Sequence, residues 1–235
     1  MARLARVIAV GLPHHVTQRG NARRFILAED ADRKVYFDLL RQNLELHRVA
    51  LLGYCLMSNQ VHLVTVPREM EGLGLALKNA HGRYGSYWNA AHHSSGHVWQ
   101  GRYYSCPLDE PHVWEALRYT EMNPVRAILV AEPELWEWSS AAAHCATVPS
   151  DGCLAMNMWR DRWSPGTWRA YLAAGQAEAQ LTAIRQCTHT GRPLGTAEFV
   201  RLLETETQRC LAPQKRGRPR KMAADPRQST LSFGA

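Results

Sequence analysis

The order of apolar segments predicts an α+β fold. It is a ferredoxin-like split β-α-β sandwich on an antiparallel sheet, followed by a helical extension and a basic tail. Three observations carry this. Residues up to Pro124 read as strand, helix, strand, strand, helix, strand, helix. The two middle strands are joined by a tight polar turn, which makes them an antiparallel hairpin. Beyond about residue 150 the strand signal fades, and tryptophans and helical periodicity replace it. The expected divisions are residues 1–145, 146–211 and 212–235.

Residues 7–17 (VIAVGLPHHVT) read as the first strand, and Gln18 to Arg24 as a polar turn. Glu29, Asp30 and Asp32 suit the positive end of a helix dipole. That helix runs to about His47 with Tyr36, Leu39, Leu40 and Leu44 on one face. Ala50 to Met57 and Val61 to Val66 flank Ser58-Asn59 and form the hairpin. A second helix spans roughly Leu73 to Ala91, with Leu77, Ala80, Tyr84 and Trp88 at helical spacing. A short strand follows around Tyr103 to Cys106. Asp109 can cap a third helix, which ends near Asn123 because Pro124 disfavours helical geometry in the residue before it. Trp159, Trp163 and Trp168 point to a small helical packing unit, and Ala197 to Cys210 to an amphipathic helix.

Composition narrows the class. The chain has 235 residues, 46% of them hydrophobic, enough for one core plus an appendage. No run of about 18 apolar residues exists to span a membrane. The N-terminus has arginines before a short apolar run, as a weak signal peptide would. Pro13 and His14 break that run and no small-residue cleavage site follows, so it is read as a strand of a cytoplasmic protein. Six scattered cysteines with no C-x-x-C pair predict reduced thiols rather than zinc ligands or disulfides.

The net charge of +7 is uneven: the tail from Ala212 carries +5, leaving +2 for the rest. The first 28 residues add Arg3, Arg6, Arg19, Arg23 and Arg24 with no acid. Two basic ends on a balanced body predict a polyanionic partner, against the plainer reading of a solubilising charge.

Three places bear chemistry. Gln60 and His62 alternate with Val61 on one strand and so share a face, where such a pair could hold a metal; a strand histidine is otherwise a hydrogen-bonded core residue. Tyr119 and Asn123 lie four apart on a helix and share a face. Asn123 offers an amide oxygen suited to Mg2+ or Mn2+, and Tyr119 a phenol, while Glu121 should point elsewhere, into a structural role or one that supports the site's residues from behind. Trp99, Arg102, Tyr103 and Tyr104 interleave aromatics with a guanidinium, a pattern for base stacking and phosphate contact that core packing of Trp99 explains equally.

Taken together the segments are specific. Gly11 to Asn21 (GLPHHVTQRGN), Cys55 to Val64 (CLMSNQVHLV), Val98 to Arg102 (VWQGR), Arg118 to Arg126 (RYTEMNPVR) and Trp136 to Ser140 (WEWSS) resemble the REP-associated tyrosine transposases. These are single-tyrosine HUH enzymes of the IS200-like kind, and the resemblance covers about residues 3–145. It implies an HUH nuclease core that cleaves and rejoins single-stranded DNA beside palindromic hairpins, using a divalent cation, Mg2+ or Mn2+. It also implies Tyr119 as nucleophile, with a 5′-phosphotyrosine and a free 3′-hydroxyl, and His62, Asn123 and Gln60 at metal positions. The departure is Gln60, which stands where the family has a histidine and which weakens the donor set. A catalytically weak, domesticated protein that binds hairpins or single strands is therefore the rival reading.

The tail adds Lys215-Arg-Gly-Arg-Pro-Arg-Lys221, which resembles an AT-hook. Its Arg216 and Arg218 would enter a narrow A·T minor groove, and the tail is expected to be disordered when unbound. Expected DNA contacts are Arg19, Arg23, Arg24, Arg102, Lys215, Arg216, Arg218, Arg220 and Lys221. The partner expected is single-stranded or hairpin DNA, at the nucleoid of a bacterial cytoplasm, with no membrane and with a homodimer allowed.

Overall fold

The computed structural model describes residues 5–149 and 152–212. The basic tail motif, Lys215 to Lys221, lies outside them.

The strands are β1 (His14–Arg19), β2 (Val49–Met57), β3 (Gln60–Pro67) and β4 (Tyr104–Pro107), in the order β2-β3-β1-β4 and antiparallel throughout. This is the split β-α-β order expected. The first strand begins later than its apolar run suggests. Gly11 sits at φ +80, and Pro13 and the Ala9 amide on the His14 ring hold residues 9–13 in an irregular approach. Pairing then continues through Gln18 and Arg19, the start of the expected turn.

Helices α1 (Asp30–Leu46) and α2 (Gly72–Ala91) pack together on one face of the sheet. Phe37 meets Tyr54 with ring centroids 4.6 Å apart, and Tyr36 meets Tyr84 at 5.2 Å. Helix α3 (Glu110–Glu121) starts at Asp109, whose carboxylate accepts from the His112 amide as an N-cap. It crosses the other face of the sheet, whereas helices were expected on one face only. The reason is visible at Gly53, where a Cβ would strike Leu117 and Ser140: the missing side chain lets α3 lie close on a face that carries His15 and His62.

A one-turn helix, α4 (Asn123–Arg126), follows with Pro124 in its first turn, so the expected break falls where proline puts it. Residues 138–140 then run along the edge of β2. Leu56 N–H bonds Trp138 O, and Ser140 N–H bonds Tyr54 O. That covers an edge which would otherwise offer unpaired backbone groups.

The remaining helices are α5 (Ala141–His144), α6 (Asn157–Arg160), α7 (Pro165–Ala173), α8 (Glu178–Thr190) and α9 (Ala197–Thr207). The tryptophans pack as expected: Trp163 and Trp168 meet edge-on at 5.1 Å, and Trp159 and Trp168 are buried. Helix α8 was not foreseen; it runs beside β4 and β1. Cys55, Cys106, Cys145 and Cys187 are free thiols. No described helix is long and apolar enough to cross a membrane.

Candidate active site

The face of the sheet under α3 builds a pocket from the inside out. Thr17 lies opposite both His62 and Tyr104, and Arg19 lies opposite Gln60, so side chains at these positions share a face. His15, two residues before Thr17, joins them. The walls come from Tyr119 on α3, Asn123 and Arg126 on α4, and Arg185 and Thr188 on α8, around a cavity of about 530 Å³. The structure thus brings together Tyr119, His62, Asn123, Gln60 and Arg19, five residues singled out from sequence.

His62 Nδ1 lies 3.3 Å from His15 Nε2, and His15 Nδ1 lies 2.7 Å from the Thr188 hydroxyl. That hydroxyl is 3.3 Å from Cys106 Sγ. His62 Nε2 is buried with no protein partner. Both histidines are neutral: burial, with Arg126 nearby, lowers His15 to about 3, and burial, then His15, Arg126 and Arg19, push His62 well below its ordinary value. The chain of bonds can run either way. Running from His62 Nδ1–H toward Cys106 leaves a bare lone pair at His62 Nε2, whereas the reverse strands a buried N–H, the costlier defect.

Tyr119 sits edge-on to both rings, 5.5 Å from His15 and 5.7 Å from His62. The Arg126 guanidinium stacks over the Tyr119 ring, 4.3 Å from its centroid, and donates to the Tyr119 carbonyl. The Arg185 guanidinium lies 6.0 Å from the Tyr119 ring centroid, and the Tyr119 side chain is the leading cause that raises the pKa of Arg185. The phenol therefore stands between two guanidinium groups. Asn123 is buried and spends its Nδ2 on Thr120 O at 3.2 Å.

Other expected residues fall elsewhere. Arg23 is exposed in a short turn, and Arg24 bonds Ser94 and lies 5.3 Å from the Trp88 ring. Arg102 lines a separate cleft with Arg6, Lys78 and Tyr103. Trp99 is a core residue, stacked on His81 at 4.4 Å with its indole N–H on His81 O, so of its two readings packing holds. Glu121 is structural, as expected: buried, it accepts from Ser140 and Trp168 and pairs with His144 at 2.5 Å.

Sequence reasoning missed His15, Arg126, Arg185 and Thr188. His15 and Arg126 lay inside the segments that carried the family resemblance, at His14-His15 and at the end of MNPVR. Arg185 and Thr188 lay on an unforeseen helix and left no signal.

The pocket thus joins a four-stranded antiparallel sheet, a helix-borne tyrosine and strand-borne histidines. Residues 9–123, just under half of the chain, match the family described as IS200-like transposases. Among solved structures, one of a REP-associated tyrosine transposase bound to a REP hairpin aligns with a TM-score of 0.51 at 15% identity. The alignment covers 67% of this chain and 90% of that one. A candidate transposase from Deinococcus radiodurans aligns with a TM-score of 0.36 at 18% identity, covering 50% and 95%. No curated protein matches the chain.

IS200-like transposases generally use a divalent metal. The residues lining this pocket do not fit one. Among the described residues no group of three or more His, Cys, Asp or Glu is placed to hold a metal. The Gln60 amide oxygen, expected as a ligand, accepts from Arg19 instead, at 2.7 Å and 3.3 Å. No carboxylate lines the cavity, while Arg19, Arg126 and Arg185 do. Hard dications favour anionic oxygen donors; His62 supplies a neutral nitrogen and Asn123 a neutral oxygen, beside three cations.

Proposed function

We propose that the chain cleaves and rejoins single-stranded DNA beside hairpins, with Tyr119 as the nucleophile. The observation that carries this is the position of Tyr119, held edge-on to His15 and His62 and between Arg126 and Arg185, on the wall of a cationic pocket. The hairpin on the REP-associated transposase of like fold supports the substrate class.

In the proposed step the Tyr119 oxygen bonds to phosphorus and the bond from phosphorus to the 3′-oxygen breaks. The phenolic proton ends on that oxygen. The phosphotyrosine keeps the ester energy, so another 3′-hydroxyl can reverse the step and join strands without a nucleotide cofactor. The AT-hook-like tail, Lys215 to Lys221, would add a grip on A·T-rich flanking duplex.

The test is a hairpin oligonucleotide with a single-stranded flank, labelled at its 3′ end, in buffer holding Mg2+ and Mn2+. A 5′-phosphotyrosine retains the 3′ label on the protein through denaturation. Label found only on free DNA would sink the reading. The pairing of Gln60 with Arg19 favours the second reading, a hairpin-binding protein without cleavage, and that outcome with intact binding would establish it.

A further inference from the structure

The pocket around Tyr119 has the chemistry of an anion site. Three guanidinium groups line it and no carboxylate does. Glu178, which pairs with Arg185 at 3.2 Å, does so at the exposed rim, where it screens that charge only in part. Arg19 is engaged by a neutral amide, which leaves its charge uncancelled. Arg126 is half-buried, its guanidinium over the Tyr119 ring and bonded to a carbonyl, again with no charge cancelled by either contact.

We infer that this pocket binds one phosphodiester group of the substrate through Arg126, Arg185 and Arg19, and that these guanidinium groups take the place of a divalent metal. The inference rests on the proposed reaction for its substrate and goes beyond it in the means of charge stabilisation. Any phosphate close enough to react with the Tyr119 oxygen must approach Arg185, 6.0 Å from that ring's centroid, and Arg126, which covers the ring. Guanidinium forks match phosphate oxygens in geometry and stay charged at any working pH. Fixed cations aimed at a pentacoordinate phosphorus stabilise its extra negative charge without reorganising. The balance is that of the transesterification above, with no oxidant, reductant or co-reactant.

Helix α8 acquires a purpose under this inference. It lies outside the matched family segment, residues 9–123, yet supplies Arg185 to the Tyr119 side chain and Thr188 to His15. The extension completes the site that the sheet begins.

The experiment uses the full chain in EDTA. Inorganic phosphate is titrated calorimetrically against wild type, Arg126→Gln and Arg185→Gln, and the labelled hairpin is tested for the covalent adduct with and without Mn2+. Phosphate should bind in EDTA and bind at least tenfold more weakly to either variant. Arg185 is exposed on α8, so that variant keeps the fold even if Arg126→Gln does not. The adduct should form in EDTA at a rate within about threefold of that in Mn2+. Phosphate that binds only with Mn2+, or binds both variants as well as wild type, overturns the inference. An adduct that requires Mn2+ overturns it too and leaves the transesterase reading standing. Phosphate binding as expected with no adduct under any condition supports the anion site and removes the transesterase reading.

Discussion

Arg19 and Gln60 face each other across paired strands, with the guanidinium 2.7 Å from the amide oxygen. The oxygen that resemblance assigns to a metal is thereby spent on a cation. Gln60→His alone sets an imidazole beside Arg19 and should leave Mn2+ affinity low. Arg19→Ala combined with Gln60→His removes the competing charge and supplies an imidazole nitrogen, a stronger donor than the amide, next to His62, so the double variant should bind Mn2+ at least tenfold tighter than either single one. Electron paramagnetic resonance of free Mn2+ reads this directly. Equal affinity in all the proteins would show that Arg19 does not control the site.

Glu121 is buried among Ser140, His144 and Trp168, and those partners join α3 to α5 and α7. Glu121→Ala leaves a buried imidazole and a buried indole N–H without their acceptor. Breaking such a pair from one side costs about 3–5 kcal/mol. Urea unfolding should show that loss, and a change below about 1 kcal/mol would mean the network is not what holds the extension to the core.

Acid should destabilise the protein earlier than carboxylate titration alone would. Burial lowers His14 to about 4 and His15 and His81 to about 3, against 6.5 when unfolded. Between those values the unfolded chain binds more protons, so stability is complete above pH 6.5 and falls as the pH drops toward 4. Each histidine contributes up to about 1.4 kcal/mol per pH unit. Unfolding curves at pH 7.5, 6 and 5 should step downward, and a flat profile over that range would contradict the burial of these rings.

The sheet, the hairpin turn and the first three helices were legible in the sequence because apolar periodicity, the Asp109 cap and Pro124 each act locally. Gln60 with His62, and Tyr119 with Asn123, were legible as pairs through strand alternation and helical spacing, and only the family resemblance joined the two pairs in one site. Two things were hidden. Polar His15 gave no sign that it faces the same cavity as His62, since strand register is a long-range property. Arg185 reaches Tyr119 across 66 positions of sequence through a helix with mixed faces, and no local pattern encodes that approach. The capture of Gln60 by Arg19 was hidden for the same reason: it depends on which residues the register of β1 and β3 sets opposite each other.

The central claim is that Tyr119 forms the bond to DNA. The pocket also holds Tyr104, so a covalent adduct by itself does not name the nucleophile. The decisive measurement is mass spectrometry of the trypsin- and nuclease-treated adduct, made in parallel with the Tyr119→Phe protein. The account predicts a nucleotide mass on the peptide bearing Tyr119 and no adduct in the Phe variant, with hairpin affinity kept within a few-fold. A nucleotide on Tyr104, or an adduct that survives in Tyr119→Phe, would contradict it.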